Sequence, residues 1–97
     1  MISNFEEITP ALFPLGQVVA TSAAVDTLSQ EEMNAAIRRH ASGDWGEVCE
    51  EDRETNEAAL AEKGRLMSVY QTKDETKFWI ITEWDRSVTT ILLPDDY

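Results

Sequence analysis

Three apolar, β-branched segments follow one another late in the chain: RLMSVYQT (65–72), KFWIITEW (77–84) and SVTTILLP (87–94). Only short turns separate them, Lys73-Asp74-Glu75-Thr76 and Asp85-Arg86. Connections that short join antiparallel neighbours, because a parallel return needs a crossover of about a dozen residues or more. The last third of the chain is therefore expected to be a three-stranded antiparallel meander, and the upstream residues must supply what covers it.

The upstream residues supply a strand and helices. FPLGQVVAT (13–21) is apolar and β-branched near its end, which predicts a strand over 15–20, with Pro14 tolerated at its start or on an edge. Residues 1–12 read as a loose arm that Phe5 and Ile8 would dock, since Pro10 and Pro14 keep it out of a helix interior. Thr21 or Ser22 caps a short helix holding Ala23, Ala24, Val25 and Leu28. Ser29-Gln30-Glu31-Glu32 is a capping-box pattern, and Met33, Ala36, Ile37 and His40 follow on one stripe. Arg38 and Arg39 suit that helix's C-terminus, and Gly43 its stop. A third helix is expected over 50–63, rich in alanine late and ended by Gly64. The expected fold is a single α+β domain over 1–97. It has an N-terminal strand, two or three helices, then the meander, in one sheet with helices on one face and the first strand at an edge.

Charge limits the partners. The 97 residues hold 8 Lys+Arg against 19 Asp+Glu, a net charge of −11, and residues 44–62 alone carry −7 with Arg53 their only cation. Such a chain repels phosphate backbones and anionic bilayers, so neither direct nucleic-acid binding nor membrane binding is expected. No window approaches 18 consecutive apolar residues. The opening MISNFEEITP has glutamates where a secretory leader has lysines, which points to the cytoplasm.

If Thr72 pairs with Lys77 and Trp84 with Ser87, one sheet face carries Met67, Val69, Phe78, Ile80, Thr82, Thr89, Ile91 and Leu93. The other carries Leu66, Ser68, Tyr70, Trp79, Ile81, Glu83, Val88, Thr90 and Leu92. The second is too apolar for a solvated face, whose residues alternate cleanly. Either the N-terminal arm and the Trp45 loop fold across it, or it is an interface. The interface reading predicts a homodimer with Trp79 and Tyr70 at the contact. Glu83, Trp84 and Arg86, around the second hairpin, are further candidate contact residues, and Glu50, Glu51 and Glu54 would meet a basic partner. Trp45, between Gly43 and Gly46, is expected to pack inward.

Catalytic patterns are sparse. The only cysteine, Cys49, stands among Glu47, Glu50 and Glu51, which disfavour a thiolate, and it is expected half-buried. His40, the only histidine, lies on an apolar stripe and reads as a packing or capping residue. The chain has no GxSxG elbow, and its four glycines stand apart, so neither phosphate-binding glycine loop is present. Too few Cys and His exist for a structural zinc site. No cofactor is expected.

FPLGQVVAT (13–21), HASGDWGEV (40–48), Asn56-Glu57 and WIITEWDRSVTTILLP (79–94) together resemble a family of short uncharacterised bacterial proteins encoded on plasmids and other mobile elements. Some members carry the label of plasmid-related protein or type I restriction methylase subunit. The resemblance covers residues 12–97 and departs from the family pattern at Ser22-Ala23, where proline is usual. It implies an association with mobile elements and assigns no catalytic residue. The methylase label is not supported, since the chain has neither a nucleotide-binding glycine loop nor an Asn-Pro-Pro motif.

The expected function is thus a small acidic, non-enzymatic protein-interaction module, an accessory protein of a mobile element. One alternative is an anti-restriction protein whose acidic helix imitates DNA phosphates. Another is a metal-dependent hydrolase using His40, Asp44, Glu83 or Asp85.

Overall fold

Capping residues place the helices. The computed structural model describes residues 11–97, so the expected arm lies outside it except for Ala11 and Leu12, and so do Phe5 and Ile8. Strand β1 (Gln17–Ala20) leads into helix α1 (Ser22–Thr27), where the Thr21 hydroxyl accepts from the Ala24 amide at 3.1 Å. Helix α2 (Gln30–Ala41) opens on the anticipated capping box: Ser29 Oγ accepts from the Glu32 amide at 3.0 Å, and Glu32 Oε1 accepts from the Ser29 amide at 2.9 Å. Helix α3 (Glu50–Glu62) has Cys49 at its N-cap without a side-chain cap bond, and Glu50, Glu51 and Asp52 complement its dipole instead. Lys63, not Gly64, takes the left-handed conformation that ends α3, at φ 60°.

Strands β2 (Leu66–Gln71), β3 (Lys77–Thr82) and β4 (Val88–Leu92) form the expected antiparallel meander, and a 3₁₀ turn follows over Pro94–Asp96. The four-stranded sheet has the order β1-β4-β3-β2, with β1 at an edge and parallel to β4. The architecture is α+β, with the helices packed against this mixed sheet.

The second hairpin has the expected register, Thr82 opposite Thr89. The first is shifted by one residue, since Gln71, not Thr72, pairs with Lys77. A one-residue slip sends every side chain of a strand to the other face. Leu66, Ser68 and Tyr70 therefore join Phe78, Ile80, Thr82, Thr89 and Ile91 under the helices, while Met67 and Val69 join Trp79 outside. The cause is the turn: Thr72 donates its amide to the Thr76 carbonyl, and Glu75 stands at φ 68° to close a three-residue loop. Tyr70 is 2% exposed, which corrects its placement beside Trp79 as a contact residue.

Two clusters make the core. Ala24, Leu28, Met33, Ala36 and Ile37 of α1 and α2 pack on Tyr70, Phe78, Ile80 and Ile91. Phe13, Trp45, Ala59 and Leu66 form the second, so Trp45 points inward as expected. On the outer face Ile81 and Leu92 are buried, and the Tyr97 ring lies edge-on to Trp79 at 5.4 Å between centroids. No helix among the described residues is long and apolar enough to cross a membrane.

Candidate functional site

Helix α3 gives little of itself to the core. Of its thirteen residues only Asn56 and Ala59 are buried. At 100° per residue Glu50 and Glu54 lie on the side opposite that pair and Glu51 on its flank, and all three are exposed. Arg53, the only cation on the helix, approaches Glu50 at 3.6 Å. An exposed pair of this kind contributes little to stability and leaves the face net negative.

Three side chains mount this face on the sheet. Asn56 Nδ2 donates to the Met67 carbonyl at 2.8 Å, and its Oδ1 accepts from the Met67 amide at 3.1 Å. Trp45 Nε1 donates to Glu57 Oε2 at 2.9 Å. Arg86 reaches from the second hairpin to the end of the helix, donating from Nη2 to the Ala59 carbonyl at 3.0 Å and from Nη1 to the Gly64 carbonyl at 2.6 Å. Arg86 also lies over the Phe13 ring, 5.7 Å from its centroid. Its guanidinium is thus a clamp between elements, a role its candidacy as a contact residue did not anticipate.

The remaining sequence candidates are dispersed. Trp84 is 62% exposed at the tip of the second hairpin, while Glu83 pairs with Arg65 at 3.8 Å on a half-exposed surface. Trp79 is half-buried on the outer face against Tyr97. Cys49 is exposed, not half-buried, at the N-cap of α3, where its side chain makes no cap bond.

The residues of the hydrolase reading are held apart, each by a different partner. Asp44 accepts two bonds from Arg39, at 2.7 and 3.2 Å, and that guanidinium holds its carboxyl below the usual carboxylate range. Asp85 accepts from the Ser87 hydroxyl at 2.7 Å and from its amide at 3.1 Å, bonds that lower its pKa as well. Among the described residues no three His, Cys, Asp or Glu side chains gather as a metal site requires.

His40 is wholly buried, edge-on to the rings of both Phe13 and Trp45. Its Nδ1 lies 2.6 Å from Ser68 Oγ and its Nε2 lies 2.9 Å from Thr82 Oγ1, while Thr82 Oγ1 lies 2.7 Å from Thr89 Oγ1. Thr89 Oγ1 is 2.7 Å from the Leu15 carbonyl, a group that only accepts. That end fixes the direction of the whole chain. Thr89 donates to Leu15, so Thr82 donates to Thr89, His40 Nε2–H donates to Thr82, and Ser68 donates to His40 Nδ1. Burial pushes the imidazole pKa down to about 3, so it is neutral in this tautomer. A serine bonded to a histidine is the geometry of an activated nucleophile. Here Ser68 is 0% exposed, and no substrate atom reaches it.

Sequence reasoning passed over Asn56 as a mount, and Ser68, Thr82 and Thr89 as a network. The only available signal was polar residues at inward positions of β3 and β4, and for Ser68 the slipped register hid even that. Compared with known proteins, the chain matches no family model, no curated protein and no solved structure.

Proposed function

We propose that this chain is an acidic, non-enzymatic protein-interaction module that presents the outward carboxylates of α3 to a basic protein surface. The observation that supports it is the division of labour in α3. The helix buries only Asn56 and Ala59, yet Asn56, Glu57 and the Ala59 carbonyl are each tied to another part of the fold. A charged face held rigid in this way meets a partner without first being ordered, which lowers the entropic cost of binding. On this reading the partner is a protein met by a mobile element, and the supporting feature is the resemblance of residues 12–97 to plasmid-borne accessory proteins. Burial of His40 and Ser68 favours a binding over a hydrolytic role, because it removes the only histidine from solvent.

Affinity capture from the host with wild-type protein and with a Glu50→Lys/Glu51→Lys/Glu54→Lys variant tests the reading. Partners recovered by the wild type should be lost by the variant and released as salt rises, since exposed charges are screened over about 8 Å at physiological ionic strength. A captured protein displaced by duplex DNA would make the helix a phosphate mimic. Equal recovery by both proteins at low and high salt rejects the proposal.

A further inference from the structure

The two edges of the sheet are finished differently. At β2 the Asn56 carboxamide occupies both backbone groups of Met67. Val69 donates its amide to the Trp45 carbonyl at 3.0 Å and accepts from the Glu47 amide at 2.7 Å, so that edge is covered at Met67 and Val69. At β1, Gln17 and Thr21 donate their amides to Ser87 and Ile91 of the β4 side, both at 3.0 Å. Successive residues of a strand point their backbone groups to opposite sides, so Val18 and Ala20 direct theirs away from β4. Among the described residues nothing pairs with them. β1 also lacks the usual protections of an open edge, having no lysine, no proline and no bulge within it.

The charge distribution singles out the same edge. From Ala11 to Val25 no residue is charged, in a chain whose net charge is −11. Val19, 37% exposed, and Val25, 56% exposed, lie in this neutral stretch. A basic foreign strand would gain little from a strand whose own residues are uncharged. A second copy, carrying the same −11, meets least repulsion where charge is sparsest, and the carboxylate at this strand's end, Asp96, is tied to the Thr21 hydroxyl at 2.7 Å beyond the pairing residues.

We infer that β1 is a self-association edge, pairing antiparallel with β1 of a second copy about a two-fold axis. Val18 then exchanges both backbone hydrogen bonds with Ala20 of the second copy, and the reverse, and Val19 faces its own equivalent across the axis. The two four-stranded sheets become one continuous sheet. On the outer face the exposed Val19 gains a β-branched cross-strand neighbour. The contact is short, which makes the dimer weak and concentration-dependent. Its salt response is opposite in sign to that of the acidic face of α3. Screening removes the repulsion between two anionic bodies and leaves the neutral contact intact, so association strengthens as salt rises.

Sedimentation equilibrium from micromolar to millimolar protein, at low and high salt, reads this directly. The dimer fraction should grow with concentration and, at fixed concentration, with salt. Val19→Lys and Val19→Glu each place like charges across the axis, and each should abolish association while the far-ultraviolet circular dichroism stays that of the wild type. An equimolar mixture of the two variants should restore a heterodimer, because opposite charges then face each other. A protein that stays monomeric under every condition overturns the inference. So does association that both Val19 variants leave unchanged.

Discussion

Asn56 substitutes for a missing strand at Met67, its carboxamide donating to and accepting from the same residue's backbone at 2.8 and 3.1 Å. A side-chain amide has the donor and acceptor spacing of a peptide unit, so one buried asparagine pairs an edge residue as a neighbouring strand would. The same contact orients α3, since Asn56 is one of only two buried residues on that helix.

Asn56→Ala should therefore act on both the edge and the helix. Two part-buried hydrogen bonds are lost and two backbone groups are left to find water, a cost of about 2–3 kcal/mol in denaturant unfolding. Hydrogen exchange at the Met67 amide should accelerate. In Asn56→Asp an ionised carboxylate would face the Met67 carbonyl, so that variant should recover stability as the carboxyl protonates in acid. Neutral stability of Asn56→Ala would mean that the edge is closed without it.

The His40 network predicts acid lability in a defined window. The imidazole pKa is lowered by burial from 6.5 to about 3, so the folded state binds fewer protons than the unfolded state between those values. The associated stability is fully present above 6.5 and is lost as pH falls towards 3. Each pH unit inside the window removes at most about 1.4 kcal/mol, or roughly 3 kcal/mol by about pH 4. The loss of stability from carboxylates held low, such as Asp44, sets in only near and below their ordinary value of 3.8, so the upper part of the window reports His40. Denaturation curves from pH 7 to about 4 should show this slope. The His40→Phe variant, less stable at neutral pH because Ser68 and Thr82 lose their partner, should show a flat profile over the same range. A wild-type profile equally flat would remove the linkage.

The helices and their caps were legible because their signals are local. Ser29 and Glu32 stand three apart and bond as that spacing implies. The meander and the edge position of β1 followed from short connections and from pattern, but which edge it takes, and its parallel pairing with β4, did not. The register of β2 was not legible, because it rests on the backbone of Glu75. A glycine or asparagine there would have announced a left-handed residue and an odd loop, whereas glutamate carries no such signal. That single omission moved Tyr70 from the helix-covered face to the outer one in the sequence reading. It also concealed Ser68, and with it the reason His40 is buried without cost in unsatisfied nitrogens. Outward Glu50, Glu51 and Glu54 were legible from charge alone. Their rigid mounting was not, since it depends on tertiary contacts: Asn56 with Met67 of β2, Trp45 with Glu57, and Arg86 with the end of the helix.

The two hairpins allow one substitution to be tested with opposite outcomes. Glu75 and Arg86 both occupy the left-handed region, at φ 68° and 60°. That conformation costs a residue with a Cβ about 1–2 kcal/mol, which glycine avoids, though glycine also loses more entropy on folding, about 0.4–1 kcal/mol. Glu75 is exposed, and only its backbone is engaged, its amide donating to the Thr72 carbonyl at 3.0 Å. Glu75→Gly should therefore stabilise the protein by about 0.5–1 kcal/mol. Arg86 gains the same relief on becoming glycine but loses its bonds to the carbonyls of Ala59 and Gly64, which are charge-assisted. Hydrogen bonds from a charged donor are worth about 1.5–3 kcal/mol each, so Arg86→Gly should be net destabilising. Arg86→Ala should be worse again, because it keeps the strain and loses the clamp. Both Arg86 variants should speed amide exchange in the last turn of α3, which Glu75→Gly leaves untouched. Urea unfolding of the three variants against wild type measures the order, and an Arg86→Gly protein as stable as the parent would show that the clamp holds nothing.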